Sequence, residues 1–537
     1  IEGFFPARMK DNVPLLVYAS ASLAFLPWVR WQVNPDHISY IGVASLYAAG
    51  HFSEAVNGYW APLHCWLLAP LLAVGVEPLL AHKLLTIGYG WATLGGLRRI
   101  LQSLGVSGGG WWLYLGALVA LPMALSGHAA DLLAVAILSF YLANALPDTT
   151  PAINPRLGIL GAIGYLAKSY VFYFFLLHIS TIVLLKIIIY GSKSKVIYKT
   201  CAKALLLFIL VCAPWVGILT WKYKTPVIST SGAVNWAMVG PESRGYFPWK
   251  FVSDLPSPHA LNTWQEPQPA KAESWSPWRN FAAFRQQLRL IWGNSKLLWR
   301  YVNRMCVLWS GVLLLFILYK DREGDAWTWA PWLFTLGLFP VGYLLMSLQD
   351  RYVWLLSFIF LALASFIQQA LSNETEIRNM LKRALVVMLA ISFVPGPSLD
   401  LQALRLARND LKTTADEIRQ ELTVPGPAAS CGRYNDSLAL AYFLGWPYHG
   451  IVRETGEDFE ATAALNPSFK KDRATFWPES EETIREAIAR LRIRYVFVWP
   501  ECISLPEAFW RPVEVVNSAG GLKIFRLSPE PVFPSQH

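Results

Sequence analysis

The sequence predicts an all-α membrane domain with many crossings, followed by a smaller soluble α/β domain. Three observations predict it. Of the 537 residues, 54% are hydrophobic and only 15% charged, against roughly 25% charged in an average soluble domain. Aromatic residues make up 14% of the chain, with 25 Trp and 22 Tyr, which suits headgroup belts where an amphipathic ring sits between water and hydrocarbon. The charge also changes sign along the chain. From Asp400 onward there are 16 Lys+Arg against 19 Asp+Glu (net −3), and the residues before it carry 30 against 17 (net +13). So much apolar surface excludes a disordered chain. Six Cys without a Cys-x-x-Cys pair exclude a disulfide-dense scaffold and a zinc ribbon. The positive excess lies in the membrane part, where it marks cytoplasmic loops rather than a nucleic-acid surface. The expected division is a transmembrane domain over 1–397 and an extracytoplasmic soluble domain over 398–537.

A crossing helix needs roughly 20 apolar residues. Apolar runs at 13–29, 79–97, 111–126, 132–146, 157–172, 174–190, 202–219, 302–319, 327–347, 352–371 and 384–394 predict about eleven transmembrane helices. The run 60–76 is apolar as well. If it does not cross, Arg8/Lys10, Arg98-Arg99, Arg156, Lys193/Lys195/Lys199, Lys320/Arg322 and Arg378/Lys382/Arg383 all fall on one side, as the positive-inside bias requires. It is therefore predicted to lie in or dip into the outer interface, with the N-terminus cytoplasmic and no cleavable signal peptide. Three segments are then external: 30–78, 221–300 and the tail. A loop of about 80 residues between two spans usually builds a site or a lid, and Pro248-Trp249 and Trp275-Ser276-Pro277-Trp278 predict that this one is ordered. In the tail, helical periodicity marks 409–422 and 480–489, a β-rich run follows at 495–499, and closing strands are expected at 513–516 and 521–527. The tail has no Gly-rich phosphate loop. Cys431 and Cys502 both lie in it; outside the cytoplasm they can pair, or they stay two buried thiols.

Carboxylates are scarce before residue 400, so each is informative. Asp36 stands in Val33-Asn34-Pro35-Asp36-His37-Ile38-Ser39-Tyr40. Pro35 ends any preceding helix and an apolar-periodic stretch follows, so Asp36 reads as a helix N-cap, or as a general base at the outer face. His37 beside it reads as a solvated loop histidine. Asp131, in Ser126-Gly127-His128-Ala129-Ala130-Asp131, occupies a short external turn and reads as an N-cap too. Lys168 near the outer end of a span either snorkels to the interface or pairs with an anion, because an unpaired ammonium at depth is costly. Arg351 follows Asp350, and either pairs locally with it or presents its fork to phosphate oxygens. Glu54, Glu77, His64 and His128 share the outer side without a metal-ligand spacing such as His-Glu-x-x-His. No metal ligand is assigned, although a divalent cation is admitted. In the long loop, Arg244, Tyr246 and Trp264 are candidates to meet an acceptor.

The order of short motifs carries a resemblance. Asp36 and Tyr40 come early in the first external loop, followed by Asn57-Gly58-Tyr59-Trp60-Ala61-Pro62-Leu63 and Trp66-Leu67-Leu68. A span ending in Arg98-Arg99 follows, then Leu166-Ala167-Lys168, then Arg351-Tyr352 before a late span. In this the chain resembles the GT-C glycosyltransferases, and within them the bacterial family-39 and aminoarabinose-transferase-like enzymes that use polyprenyl-phosphate sugars. The resemblance covers most of 1–397; the tail has none. It departs in having Asp36-His37 where members often have Asp-Glu or Asp-Asp, and Asn57-Gly58-Tyr59-Trp60 where many have a Lys before the Pro-Leu helix.

What the resemblance implies is a multi-pass enzyme of the plasma (inner) membrane with its site facing the periplasm. It moves a sugar from a polyprenyl-phosphate carrier to a cell-envelope glycan, lipid or protein, and takes no nucleic acid. Asp36 is expected as base of an inverting displacement, and Lys168, Arg351, Tyr352 and Asp131 around the donor phosphate. His37, Tyr40, Asn57, Tyr59, Trp60 and Arg244 are expected in the pocket. The alternatives are an oligosaccharide or polymer ligase of the same superfamily and a lipid-sugar transporter or flippase. Transporters commonly carry internal repeats, and none is visible in the sequence.

Overall fold

A computed structural model describes residues 12–106, 110–146, 150–240, 251–267, 275–322, 329–373, 379–407, 410–453, 481–502, 512–517 and 521–527. Among the described residues the chain is mostly helical with one small sheet, and it divides into two compact units that alternate along the sequence. The first comprises Ile1–Arg30, Ala61–Ser229 and Asn294–Ala407; the second comprises Trp31–Trp60, Thr230–Gly293 and Arg408–His537.

The first unit is a bundle of apolar helices. Pro78–Ser103 shows how one begins: the Glu77 carboxylate accepts from the Leu79 and Leu80 amides at 3.0 and 2.9 Å, with Pro78 at the first position, where a missing N–H costs nothing. Helices close up where a residue is small. A Cβ on Gly158 would overlap the Ala204 carbonyl oxygen, and one on Gly96 would meet Ser139 at 2.5 Å. Buried polar ties cross between helices, Tyr141 Oη to His178 Nδ1 at 2.8 Å and His178 Nε2 to Thr335 Oγ1 at 2.8 Å, as expected where water cannot satisfy them. Among the described residues, four helical stretches are long and apolar enough to cross a membrane: Tyr170–Tyr190, Ser194–Tyr223, Leu355–Ser372 and one that opens at Asn379. A bent pair, Phe281–Met305 and Trp309–Tyr319, adds a fifth, and six further apolar helices have 10–17 residues. Leu177, Leu184, Ile188, Leu206, Ile209 and Leu210 lie exposed on the first two of these, an apolar surface suited to lipid.

Several helix ends differ from the expected runs, Ser194–Tyr223 beginning eight residues before 202, and two breaks fall where none was expected. The runs 157–172 and 174–190 divide instead at Lys168, because Arg156–Ala167 ends there with Lys168 extended at φ −154° and ψ 120°, and the next helix starts at Tyr170. The expected span 302–319 is broken between Met305 and Trp309, with a 78° bend, where the Val307 amide leaves its helix to donate to the Ser392 carbonyl at 3.1 Å. The 60–76 run contains a 12-residue helix, Pro62–Ala73. At 1.5 Å per residue it falls well short of a roughly 30 Å hydrocarbon layer.

The second unit is built on a five-stranded sheet: β1 (Ala428–Cys431), β2 (Tyr448–Arg453), β3 (Tyr495–Val498), β4 (Pro512–Asn517) and β5 (Lys523–Leu527), in order β2-β1-β3-β5-β4. The first three strands are parallel and the last two antiparallel. Parallel neighbours need a crossover, which Tyr434–Leu444 supplies between β1 and β2. The sequence reading found β3, β4, β5, Leu411–Glu421 and Glu481–Arg490 to within two residues and missed β1, β2 and Tyr434–Leu444. The β1 run, Ala-Ala-Ser-Cys, is too short and small to show a period. Cys431 and Cys502 are disulfide-bonded, with Cα atoms 6.0 Å apart. The edge of β2 is taken up by the long loop: Val252 and Ser253 donate to the Ile451 and His449 carbonyls at 3.1 Å each, and Tyr448 donates to Leu261 at 2.9 Å. This covers an edge that would otherwise be open.

Candidate active site

In the second unit, Asp36 lies in the first turn of Pro35–Ala48 and is not its cap. Asn34 is, its side chain accepting from the His37 amide at 3.0 Å. The Asp36 carboxylate accepts from the Trp264 indole at 3.2 Å and sits at a helix N-terminus that favours negative charge. His37, expected in solvent, is 2% exposed within the same helix, because its position turns inward.

Around Asp36 gathers an aromatic group. Tyr40 meets Trp60 edge-on at 4.8 Å, Tyr59 meets Trp264 at 5.3 Å, and Trp60 meets Trp264 at 5.9 Å. The Trp60 indole donates to the Trp264 carbonyl at 3.3 Å. Asn57 ties the two segments together, its carboxamide nitrogen donating to the Gln265 carbonyl at 2.7 Å and its oxygen accepting from Tyr59 and Trp60 amides at 2.9 and 3.0 Å. Gly42 leaves the space that Gln265 fills, since a Cβ there would lie 2.5 Å from Oε1. The structure thus brings together Asp36, Tyr40, Asn57, Tyr59 and Trp60 with Trp264, one of the long-loop candidates, which meets Asp36, and adds Gln265, which had no sequence signal. Arg244 and Tyr246 lie outside the described residues.

In the first unit, one carboxylate gathers two cations. Asp131, 7% exposed, is the third residue of Ala129–Ala145, with His128 at the N-cap, so the cap expected of Asp131 belongs to another residue. Lys168 is ion-paired with Asp131 Oδ1, and Arg351 Nη1 lies 3.7 Å from Oδ2. The Arg351 guanidinium also donates to His128 Nδ1 and Gln349 Oε1, both at 2.7 Å. An arginine can only donate, so His128 presents a neutral nitrogen. The expected local Asp350–Arg351 pair forms only through the backbone, Asp350 accepting from the Arg351 amide at 2.7 Å. Lys168 stands 4.0 Å from the centre of the Tyr352 ring, which stacks on Tyr343 at 4.9 Å. Asp131 begins its helix and Lys168 ends another, so both helix dipoles favour the charges they carry. With His128 neutral, the group keeps one net positive charge on two donors fixed side by side.

A wire of buried groups braces the turn before Asp131. His82 Nε2 donates to the Gly127 carbonyl at 2.8 Å; its Nδ1 then accepts from His64 Nε2 at 3.0 Å, and His64 Nδ1 accepts from Tyr89 at 2.9 Å. Each direction follows from the last, because a carbonyl can only accept. The outer-side acids and histidines thus part company: His64 is in this wire, Glu77 caps a helix and pairs with Arg30 at 3.4 Å, and His128 meets Arg351. Glu54 lies with His51 and His259, 3.8 and 2.9 Å from their Nδ1 atoms.

Scans against protein-family models and against curated proteins found no match to the sequence. Among solved structures, ArnT from Cupriavidus metallidurans bound to undecaprenyl phosphate superposes over 98% of this chain and 100% of its own, with TM-score 0.54 at 13% identity. The chain has the ArnT fold. The apo state of the same protein gives TM-score 0.51 at 12% identity, over 97% of this chain and 99% of that one. Arabinofuranosyltransferase AftD from Mycobacteria gives TM-score 0.43 at 11% identity, over 97% of this chain and 40% of its own. The fold likeness expected from the motif order thus holds. The ArnT likeness also runs through the tail, where the sequence showed no resemblance.

Proposed function

We propose that this protein is a membrane glycosyltransferase that moves a sugar from a polyprenyl-phosphate carrier to an extracytoplasmic acceptor. The observation that carries the reading is the pair Lys168 and Arg351 held on Asp131 above Tyr352, two fixed cations suited to a phosphate oxygen each. The ArnT structure, bound to undecaprenyl phosphate, supports the same ligand class. In the proposed step, the acceptor hydroxyl or amine loses its proton to Asp36 and attacks the anomeric carbon. The bond from that carbon to the phosphate oxygen breaks with its electron pair, and polyprenyl phosphate leaves as the dianion held by Lys168 and Arg351. One in-line displacement inverts the anomeric centre. Trp264 orients the Asp36 carboxylate through its indole N–H. The wider reading has about eleven crossings, a membrane domain over 1–397, a soluble domain over 398–537 and a site facing the periplasm from the plasma membrane. The Cys431–Cys502 bond supports that placement, since disulfides persist outside the cytoplasm.

The test is incubation of purified protein with a panel of polyprenyl-phosphate sugars and an acceptor extract, following release of free polyprenyl phosphate. Wild type is expected to release it from one donor class, and Asp36→Asn to bind carrier normally while losing transfer. Normal turnover by that variant would sink the assignment of the base. Carrier that fails to bind at all would remove the polyprenyl-phosphate reading.

A further inference from the structure

We propose that His51, Glu54 and His259 form a binding site for a divalent transition metal, zinc by its donor set, that clips the long loop to the turn following Pro35–Ala48. His51 precedes the single helical turn Phe52–Ala55, and Glu54 falls three residues on, on the same side of that turn. His259 arrives from a segment 205 residues later. The ligand atoms of all three lie within 4.8 Å of one another. His259 Nδ1 is 2.9 Å and His51 Nδ1 3.8 Å from the same carboxylate oxygen, and the two imidazoles stack with centroids 4.0 Å apart. Ligand atoms held at about 2.0–2.1 Å around a tetrahedral ion stand roughly 3.3 Å apart, so closing the set takes a shift of about 1.5 Å at most.

The chemistry of the donors selects the ion. Two imidazole nitrogens and one carboxylate oxygen suit zinc and its borderline neighbours better than magnesium or calcium, which take oxygen cages. The side chains are partly exposed, 38% for His51, 20% for Glu54 and 53% for His259, which leaves the remaining coordination to water. Both imidazole Nδ1 atoms face one oxygen of the Glu54 carboxylate, so a single dication between them satisfies the two nitrogens and the carboxylate together. The second backbone tie, the His259 amide to Glu54 Oε2 at 3.3 Å, holds the loop in register for the ion.

The site touches neither Asp36 nor the aromatic group, but it holds the two segments that build them. Glu54 lies three residues before Asn57, and His259 five before Trp264. A bound ion would therefore act as a positioning element for the Asn57–Gln265 tie and the Trp264–Asp36 bond. The inference does not depend on the transferase reading, and its test measures binding and loop protection rather than turnover.

The experiment uses full-length protein purified on a tag without histidine, stripped with chelator and then titrated with zinc chloride by calorimetry, with metal content read by mass spectrometry after dialysis. One zinc per chain is expected, with magnesium and calcium failing to compete. Glu54→Gln and His259→Ala should each weaken binding at least tenfold, and His259→Cys should restore it, because a thiolate replaces the imidazole as ligand while a mere packing role would not be rescued. Zinc should also slow proteolytic cutting within 251–267 in wild type and not in His259→Ala. No zinc uptake by the wild type, or uptake unchanged across the variants, would overturn the proposal.

Discussion

Asp131 holds two cations at once, and removing it has two separable effects. Asp131→Asn should leave Lys168 and Arg351 facing each other unneutralised at low exposure, an uncompensated arrangement of the kind that costs several kcal/mol when buried. A lowered thermal midpoint is expected, together with partial recovery on adding polyprenyl phosphate, whose charge substitutes for the carboxylate. Lys168→Ala should leave the fold intact and weaken polyprenyl-phosphate binding by about 10- to 100-fold, the worth of one charge-assisted hydrogen bond; an unchanged dissociation constant would remove Lys168 from the phosphate. Trp264→Phe keeps the ring and deletes the donor to Asp36, so transfer should fall about tenfold with carrier affinity unaltered, read from initial rates at saturating donor. These residues differ in how visible they were. Asp36, Asp131, Lys168 and Arg351 stand out in the sequence because charge is expensive next to a span. Their partners did not: nothing in the sequence says that Asp131 rather than Asp350 takes the Arg351 guanidinium, or that Asn34 caps in place of Asp36. Those choices are made by turn geometry and by segments that meet hundreds of residues apart.

Helix boundaries follow the same logic. Apolarity alone located most helices, since a run of apolar residues in lipid must pair its own backbone and so becomes helical. It misplaced the breaks, because the break at Lys168 is fixed by an ion pair and that at Cys306 by a backbone bond to Ser392, neither of which has a hydropathy signature. Close approach of Arg156–Ala167 to Ser194–Tyr223 depends on Gly158. Gly158→Val should force the two helices apart and cost about 1–3 kcal/mol, seen as a lower melting midpoint in detergent; no change would mean the helices are free to part. In the sheet, burial holds the pKa of His449 in β2 below its usual value, against the opposing pull of the Ser253 carbonyl and Asp254 and with help from Arg490. A histidine whose folded pKa is depressed stabilises above its unfolded pKa, near 6.5, and loses that contribution as pH falls below it. Between pH 7.5 and 5.5 the midpoint of the wild type should therefore fall more than that of His449→Gln.

The whole molecule is a bundle and a sheet unit drawn from alternating stretches of one chain. This alternation has no signature in composition, which changes once, near residue 397, whereas the second unit also takes Trp31–Trp60 and Thr230–Gly293. Its disulfide closes a loop of 71 residues, and losing it through Cys431→Ser with Cys502→Ser should cost roughly 2–4 kcal/mol, measured as a drop in denaturant midpoint under non-reducing conditions. The alternation also bears on biogenesis. At about 5–20 residues per second, tens of seconds separate the emergence of Pro35–Ala48 from that of β3 and β5. During that interval the segment carrying Asp36 is without its sheet, and its apolar surface is open to rival contacts. The protein is then a late-assembling one, dependent on its last hundred residues for the fate of its first fifty. A chain stopped before residue 408 should insert its helices yet leave residues 31–60 open to protease.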